Sequence, residues 1–331
     1  MTEIQKNKLL DLKKKFKEKN IAIIGDMMLD GYLWGDVKRI SPEAPVPIVE
    51  IDSEFFRFGG AANVALNISK LGGNAIPIGI IGDDNDGKIF SDLIKEENIT
   101  SEFIIKDNSR PTTNKTRVIS ANQHIVRIDK ESKLPISLEI ENQIFVSLNK
   151  MINQIDAIIL QDYNKGVLTP TLIAKIIELA NRHNKIITVD PKFDNFFEYK
   201  NATLFKPNRK ETENAFGIRI NSDESIKNAA SKLMQRLNVK YCLLTLGEDG
   251  MAILEKGKQY LQIPTIARKV VDVSGAGDTV IATITMALAT GSSINEAAYL
   301  ANYAGGMVCE IAGIVPIDLD DLFNNINSEY R

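Results

Sequence analysis

The chain has 331 residues, of which 44% are hydrophobic and 25% charged, and its formal net charge is −3. This composition excludes a disordered chain, and the length suits one large domain or two smaller ones. A near-neutral charge gives no broad electrostatic footprint, so we expect neither nucleic acid nor a membrane as a partner. With two cysteines and two histidines, disulfide frameworks, zinc sites and Ser/His/Asp triads are poorly supplied. The chemistry therefore depends mainly on Asp, Glu, Asn, Lys, Arg and backbone amides.

The N-terminal segment 1–20 is basic and predicts an amphipathic helix, because it lacks the apolar core of a signal peptide. The most apolar later stretch, 280–289, falls well short of the roughly 20 residues that a membrane span needs. These two features predict a cytoplasmic protein.

Short β-branched runs alternate with longer helical patterns along most of the chain, which is typical of an α/β fold. We expect a doubly wound, mostly parallel sheet flanked by helices. The predicted strands are 21–24, 75–81, 157–160, 186–189, 204–206 and 241–245. The predicted helices are 61–71, 87–97, 170–183, 225–237, 277–289 and 294–312.

Two stretches interrupt this alternation. Residues 31–58 carry three prolines near their middle, and proline rings force extended or turning backbone. In the second stretch, predicted strands over 112–120 and 123–129 flank a two-residue turn. We therefore expect a small β-structured lid, inserted at about 31–58 and 103–131 into a single domain that spans 1–331.

The strongest motif is the segment 272–279, Asp-Val-Ser-Gly-Ala-Gly-Asp-Thr, which leads into an apolar helical pattern. Small residues allow a tight turn, and the free N–H groups of the helix's first turn then form a site for an anion or a transferring phosphoryl group. Asp278 lies at this site and is placed to take a proton from an attacking hydroxyl as a general base. The alternative is that Asp278 only caps the helix.

A second motif, Gly59-Gly60 followed by Asn63, also precedes a helix. Paired glycines allow a ligand to approach the backbone closely, and the Asn63 amide offers both a donor and an acceptor to sugar hydroxyls. Alone the motif is weak, because two glycines before a helix are more often a tight connection.

A third motif lies at 206–211, where a predicted strand gives way to a helix. Asn208 and Glu211 are three residues apart and therefore share one helix face. An amide and a carboxylate so placed suit Mg²⁺ held through waters beside nucleotide phosphates, because magnesium gives up its water reluctantly. A helix N-cap with a charge in the first turn explains the pattern equally well.

The segment from Thr245 through Gly247 to Gly250 forms a glycine-bracketed turn on which a nucleotide can lie, although a hairpin turn is an equal alternative.

Two nucleotide motifs are absent from the sequence. It has no GxxxxGK[ST], which excludes a Walker-type phosphate loop, and no GxGxxG opening a βαβ unit, which weakens a dinucleotide oxidoreductase. The acidic segment 82–87 fails as a calcium loop, because the positions that need carboxylates hold Gly82 and Leu93.

In this order the motifs resemble those of the ribokinase-like (phosphofructokinase B) carbohydrate kinases, over about residues 20–319. The resemblance implies Asp278 as the catalytic base, 275–277 as the anion hole, and ATP with Mg²⁺ as cofactors. Asn208 and Glu211 would hold Mg²⁺ through waters. The nucleotide-binding residues that it implies are Asn208, Arg209, Lys210, Glu211, Thr245, Gly247, Gly250 and Asn302.

Within this family, four further segments are similar to the kinases of D-glycero-D-manno-heptose 7-phosphate in lipopolysaccharide core synthesis. They are 25–30, 39–47, 115–118 and 162–166. In many bacteria that kinase is fused to a nucleotidyltransferase with an HxGH motif, which this sequence lacks, so we expect no nucleotidyltransferase domain here. Another protein would then perform the nucleotidyl transfer. Residues 313–316 and Arg57-Phe58 depart from the subgroup's pattern, which leaves the exact acceptor open.

A substrate that already bears a phosphate needs fixed cations, and the planar fork of arginine suits phosphate oxygens. The candidates are Arg39, Lys115, Arg117, Arg127, Lys165 and Lys192. For each of them a solvated basic face is an equal alternative. Asp26 and Asp30 would accept hydrogen bonds from sugar hydroxyls. The remaining substrate candidates are Gly59, Gly60, Asn63 and Asp162.

The resemblance thus implies an ATP-dependent kinase that phosphorylates the anomeric hydroxyl of the heptose 7-phosphate to give the 1,7-bisphosphate. Closure of the lid would exclude water from the reaction. One alternative is a kinase of the same fold for another sugar, sugar phosphate or nucleoside, and another is a catalytically silent nucleotide or sugar sensor. We also expect a homodimer through the lid, because unpaired strand edges seek partners.

Overall fold

The computed structural model describes residues 6–121, 123–258, 260–266, 270–311 and 313–329. Its strands, in chain order, are β1 (Asn20–Gly25), β2 (Met27–Ile40), β3 (Pro47–Gly59), β4 (Asn74–Ile81), β5 (Ile104–Lys106), β6 (Thr113–Ser120), β7 (Gln123–Lys130), β8 (Ala157–Gln161), β9 (Ile186–Asp190), β10 (Leu204–Phe205), β11 (Tyr241–Thr245), β12 (Met251–Glu255) and β13 (Leu261–Ile263). Its helices are α1 (Lys6–Phe16), α2 (Gly60–Lys70), α3 (Asn85–Glu96), α4 (Leu138–Met151), α5 (Pro170–Arg182), α6 (Arg209–Phe216), α7 (Asp223–Leu237), α8 (Ala276–Ala289), α9 (Ile294–Cys309) and α10 (Leu319–Glu329).

Nine strands form the central sheet, in the order β13-β12-β11-β10-β9-β8-β1-β4-β5. From β11 to β5 all neighbours are parallel, and β12 and β13 add an antiparallel edge. This confirms the α/β class and the mostly parallel, doubly wound sheet. All six predicted strands are present, with ends that differ by one residue at most.

Two hydrophobic clusters pack on opposite faces of this sheet. Along β1, Ile21 and Ile23 belong to one cluster, whereas Ala22 and Ile24 belong to the other. The first cluster includes residues of α2, α8 and α9, and the second includes residues of α4, α5 and α7. Because the parallel strands are buried on both faces, they are continuous apolar runs in the sequence.

The six predicted helices are all present, with small differences at their ends. Helix α3 begins two residues before the predicted start, because the Asp84 carboxylate accepts a hydrogen bond from Gly87 N at 2.9 Å and caps the helix there. Helix α9 ends at Cys309 with Glu310 as its C-cap, so the prediction of helix at 310 and 311 was wrong, and the predicted end at 312 lies outside the described residues. None of the helices in the described part of the chain is long and apolar enough to cross a bilayer.

The lid is a separate four-stranded sheet in the order β3-β2-β6-β7. The predicted hairpin is confirmed as β6 and β7, and of its two turn residues Ala121 has φ 48°, while Asn122 lies outside the described residues. Two predicted boundaries were wrong. The first lid strand already begins at Met27, directly after Asp26, and residues 104–106 form β5, which pairs with β4 in the central sheet.

Candidate active site

The carboxyl ends of β1, β8, β9, β10 and β11 meet at one edge of the central sheet, where ligands bind in open α/β folds. A cleft of about 920 Å³ opens there. The amino end of α8 lies on its wall. Most of the predicted catalytic and nucleotide residues line this cleft, namely Asn208, Arg209, Lys210, Thr245, Gly247, Gly250, Gly275, Ala276, Gly277, Asp278 and Asn302.

Asp278 accepts hydrogen bonds from three side chains, two of them at the end of β8 and one on α2. Its Oδ1 accepts from Gln161 Nε2 at 3.0 Å and from Tyr163 Oη at 2.9 Å, and its Oδ2 accepts from Asn63 Nδ2 at 2.7 Å. The N-cap of α8 is Gly275, which has no side chain to cap with. Asp278 therefore does not cap its own helix, and its carboxylate is held in a fixed position in the cleft.

The environment of Asp278 favours a base that works near neutral pH. The pKa of the Asp278 carboxyl is raised to about 6, mainly by burial and also by the Asp190 carboxylate, while the hydrogen bonds from Asn63 and Tyr163 and the charge of Lys206 lower it. Such a carboxylate is still mostly deprotonated at pH 7. It also takes up a proton more readily than one with an ordinary pKa.

The first turn of α8 lines the cleft, although Ala276 N already donates to the Val273 carbonyl oxygen at 3.3 Å. Gly275 has φ 79°, a left-handed conformation that glycine adopts at little cost. The first N–H groups of a helix have no acceptor within it and lie at the positive end of its dipole. A Cβ added at Gly277 would lie 3.7 Å from Lys206 Nζ and 3.9 Å from Asp190 Oδ2, so this turn faces the ion pair that these two residues form.

Gly59 and Gly60 make room for the chain itself. A Cβ at Gly59 would lie 2.5 Å from Asp30 Oδ2, and one at Gly60, where φ is 58°, would lie 2.4 Å from the Asp26 carbonyl oxygen. The sequence suggested that a ligand approaches these two glycines closely. In the structure, β2 and the residue before it occupy that position. This packing fixes the start of α2, which carries Asn63.

Asp26 and Asp162 lie behind the cleft as buried organisers of one loop. Asp26 accepts hydrogen bonds from backbone N–H groups of the loop 163–167 at 2.8, 3.1 and 3.2 Å. Asp162 accepts from the Tyr199 hydroxyl at 2.6 Å and from Asn164 N at 2.8 Å. Burial raises the pKa of both carboxyls, that of Asp26 to about 6. Both residues were expected to contact the substrate. In the structure their carboxylate oxygens instead accept hydrogen bonds from other parts of the chain.

Asn208 and Glu211 form a capping box at the start of α6. Asn208 Oδ1 accepts from Glu211 N at 2.7 Å, and Glu211 Oε2 accepts from Asn208 N at 2.9 Å. The other carboxylate oxygen of Glu211 accepts from Lys192, which lies in the cleft beside α6 and away from the other predicted cations. Mg²⁺ prefers oxygen ligands such as these. Because the oxygens already accept hydrogen bonds from the protein, they suit contact with Mg²⁺ through waters.

Asp190 and Lys206 form a buried ion pair at 3.0 Å, which the sequence analysis missed. They stand at the carboxyl ends of the adjacent strands β9 and β10. Gln161, at the end of β8, donates to Asp190 Oδ2 at 3.2 Å and so connects the pair to Asp278. The sequence did hold a signal for this pair, because a polar or charged residue stands at the end of each of the apolar strands β8, β9 and β10.

The structure brings Lys115, Lys165 and Arg127 to the base of the lid, but each has an acidic partner. Lys115 donates to Asp129 at 3.1 Å and to Glu131 at 2.9 Å. Lys165 donates to the same Glu131 at 2.8 Å, and Arg127 pairs with Asp129 at 2.7 Å. Two carboxylates therefore offset much of the positive charge that was expected to hold a substrate phosphate.

Arg117 and Arg39 differ in position and environment. Arg117 donates to Asp30 Oδ1 at 2.5 Å, so the two predicted substrate residues bind each other. Burial raises the pKa of Asp30, against the opposing charge of Arg117. Arg39 is exposed at the outer end of β2. At about 3.3 Å per residue it lies about 30 Å along the strand from Asp30, so it does not join the other cations.

The chain is similar in sequence to known proteins over most of its length. Residues 18–317 match the family model described as pfkB family carbohydrate kinase. The chain is 41% identical over 312 residues to the bifunctional protein HldE of Helicobacter pylori (strain Shi470), covering 94% of this chain and 67% of that protein. It is also 41% identical over 311 residues to the bifunctional protein HldE of Geobacter sulfurreducens, covering 94% and 64%. The chain thus spans about two thirds of the length of these relatives.

Solved structures confirm the fold. The ribokinase of Arabidopsis thaliana, complexed with ribose and ATP, superimposes with a TM-score of 0.74 at 19% identity, covering 93% of this chain and 98% of that one. The tetrameric inhibited form of phosphofructokinase-2 from Escherichia coli gives a TM-score of 0.75 at 18% identity, covering 95% and 99%. With its family model, its relatives and its ribokinase-like fold in agreement, the chain belongs to the pfkB family of carbohydrate kinases and is a sugar kinase.

Proposed function

We propose that this sugar kinase transfers the γ-phosphoryl group of ATP to the anomeric hydroxyl of D-glycero-D-manno-heptose 7-phosphate. The observation that carries the chemistry is the Asp278 carboxylate, held by three donors beside the first turn of α8. The similarity to the HldE proteins and the four sequence segments of the heptose kinase type support the choice of acceptor.

The cleft has the size and surface that a nucleotide needs. Its volume of about 920 Å³ falls in the upper part of the range for small-molecule sites. Val270 and Val273 line it and are 58% and 67% exposed, so apolar surface is left for a base to cover. Gly247 has φ 66° with open space where a Cβ would point, which lets a ligand approach the backbone. ATP is the phosphoryl donor in this proposal.

In the proposed reaction, Asp278 accepts the proton of the attacking hydroxyl. The Gly277 N–H group in the first turn of α8 stabilises charge on the transferring phosphoryl group. Lys206 lies nearby, with its charge partly offset by Asp190. Bound Mg²⁺ would offset the repulsion between the phosphates and the attacking oxygen, held through waters by Asn208 and Glu211.

Asn63 and Gln161 are suited to orient the acceptor sugar. Each donates its side-chain NH₂ group to Asp278. Within the described residues, Asn63 Oδ1 and Gln161 Oε1 are buried without a hydrogen-bond partner. A buried acceptor left unpaired costs free energy, and a sugar hydroxyl next to the base would satisfy it.

We further propose that the chain forms a homodimer through its lid. Val126 and Ile128 of the edge strand β7 are 51% and 54% exposed, and an exposed apolar strand edge favours pairing with another chain. Light scattering at working concentration would give the mass of two chains, whereas the mass of one chain would contradict this assembly.

An ADP-release assay with a panel of acceptors tests the function. The panel holds heptose, hexose and pentose phosphates and their unphosphorylated sugars, each with ATP and Mg²⁺. We expect the highest kcat/KM for D-glycero-D-manno-heptose 7-phosphate and a product phosphorylated at both C1 and C7 by NMR. Preference for another sugar or sugar phosphate would support another kinase of this family. Absence of turnover with every acceptor would favour a silent sensor.

A further inference from the structure

One face of the lid brings several charged residues together. The strand register aligns Asp30 with Arg57 and with Lys115, and Tyr32 with Phe55 and Arg117. Since side chains alternate along a strand, these residues share one face, which we call the polar lid face. The opposite face carries Phe58, which packs in the core against Phe90.

The cations of the polar lid face differ in whether they have an acidic partner. Arg117 pairs with Asp30, and Lys115 pairs with Asp129 and Glu131. Arg57, in contrast, forms no ion pair with any residue in the described part of the chain. It is half-buried, and a partly desolvated charge without a counterion is costly unless a ligand supplies one.

The guanidinium of Arg57 is held in place without being neutralised. Its Nη1 donates to the Ile314 carbonyl oxygen at 2.8 Å, and its Cζ lies 5.8 Å from the ring centroid of Tyr32 and 5.6 Å from that of Phe55. A Cβ at Gly313 would lie 2.8 Å from Nη1, so a larger residue there would displace the guanidinium. One carbonyl and two aromatic rings orient the fork but leave donors for an anion.

Arg57 also lies close to the catalytic centre. The Ile314 side chain would contact a Cβ at Gly275 at 3.2 Å, and Gly275 is the N-cap of α8. Arg57 and residues 313–316 are the two segments that depart from the heptose kinase pattern, and the structure brings them into direct contact. A ligand group bound at Arg57 would thus lie between the lid and the amino end of α8.

We infer, on the basis of the proposed function, that Arg57 binds the phosphate group which the acceptor sugar already carries and selects phosphorylated sugars over unphosphorylated ones. The guanidinium offers two parallel N–H donors to two phosphate oxygens. The paired cations Lys115 and Arg117 border this site on the same face and contribute less, because carboxylates already offset their charge.

The test compares Arg57→Ala and Arg57→Lys with the wild-type enzyme. The acceptors are D-glycero-D-manno-heptose 7-phosphate and unphosphorylated heptose, with kcat/KM measured at saturating ATP and the dissociation constant of each sugar measured by calorimetry. We expect Arg57→Ala to weaken binding and kcat/KM for the phosphorylated sugar about 100-fold, and Arg57→Lys about 10-fold. The affinity for unphosphorylated heptose and the KM for ATP change less than threefold.

Arg182→Ala is the matched control, because Arg182 pairs with Glu178 on the exposed surface of α5. It should leave both sugars unaffected. A purely structural role of Arg57 would weaken both sugars and ATP together, and this result would overturn the inference. If Arg57→Ala leaves the ratio of kcat/KM between the two sugars unchanged, the inference is also overturned. The proposed function still stands in that case, provided that the wild-type enzyme phosphorylates the sugar phosphate. A wild-type enzyme that neither binds nor phosphorylates the sugar phosphate would remove both.

Discussion

Asn63 and Asp278 are separated by 215 positions in the chain, yet Asn63 Nδ2 donates to Asp278 Oδ2 at 2.7 Å. One turn further along α2 and one residue further along α8, Thr279 Oγ1 donates to Asn67 Oδ1 at 2.8 Å. The amino ends of α2 and α8 are therefore joined by two buried hydrogen bonds. The two glycine-containing motifs, weak or ambiguous when taken singly, build one site because their helices pack side by side.

Asp278→Asn tests the proposed base directly. The amide cannot accept the hydroxyl proton, so we expect kcat to fall by about 10² to 10⁴-fold. The dissociation constant of ATP, measured by calorimetry, should change less than threefold. Asp92→Asn, at an exposed position of α3, is the control and should keep full activity. Ordinary turnover by Asp278→Asn would assign the base to another group.

The raised pKa of Asp278 sets the pH dependence of the reaction. Since burial raises this pKa to about 6, the base becomes protonated as the pH falls through 6, well above the ordinary value of 3.8. We expect kcat/KM for the sugar to be level near pH 7 to 8 and to fall about tenfold per unit below pH 6. A profile from pH 5 to 8 measures this limb. A level profile down to pH 5 would contradict a buried base.

Asn63→Ala should move that acidic limb to higher pH. The hydrogen bond from Asn63 lowers the pKa of Asp278, so its loss raises the pKa and leaves less of the base deprotonated at pH 7. We expect lower kcat/KM at pH 7 with partial recovery at pH 8. Asn74→Ala, at the exposed start of β4, should keep the wild-type profile. If kcat/KM falls but the acidic limb stays at the same pH, Asn63 acts in sugar binding and does not set the pKa of Asp278.

Gly275→Ala tests the anion hole, and Gly291→Ala is its matched control. Both glycines have positive φ, 79° and 86°, where an alanine costs about 1 to 2 kcal/mol. A Cβ at Gly275 meets Ile314 at 3.2 Å, whereas nothing lies within 4 Å of one at Gly291. Thermal melting should show that both variants are destabilised. Only Gly275→Ala should also lose kcat, and equal kcat losses would argue against the anion hole.

Glu211→Gln separates the capping role of Glu211 from its proposed contact with magnesium. Glutamine keeps an oxygen that can accept from Asn208 N, so we expect a small change in melting temperature. The lost charge should raise the Mg²⁺ concentration needed for half-maximal activity about tenfold. Glu213→Gln on the same helix serves as the control, since Glu213 accepts from Ile220 N at 2.7 Å. A normal Mg²⁺ requirement in Glu211→Gln would exclude this contact.

Local sequence patterns predicted the elements whose signal is contained in a few neighbouring residues. The buried strands were apparent because they are apolar on both faces, and the turn before α8 was apparent from its small residues. Strand β5 was missed because three residues are too few to form a pattern. The ion pair of Asp190 with Lys206 and the acidic partners of the lid cations depend on contacts distant in sequence, which composition and spacing do not encode.

Asp26 is the only residue between β1 of the central sheet and β2 of the lid. Its N–H donates to Gln161 O, its carbonyl accepts from Ala61 N, and its carboxylate holds the loop 163–167. A swing of the lid about this connection would break several buried hydrogen bonds at once. Bending costs least at the register shifts further out, between Trp34 and Gly35 and between Val37 and Arg39. The inner half of the lid is thus a rigid extension of the central sheet, and only its outer half is free to flex over a bound sugar.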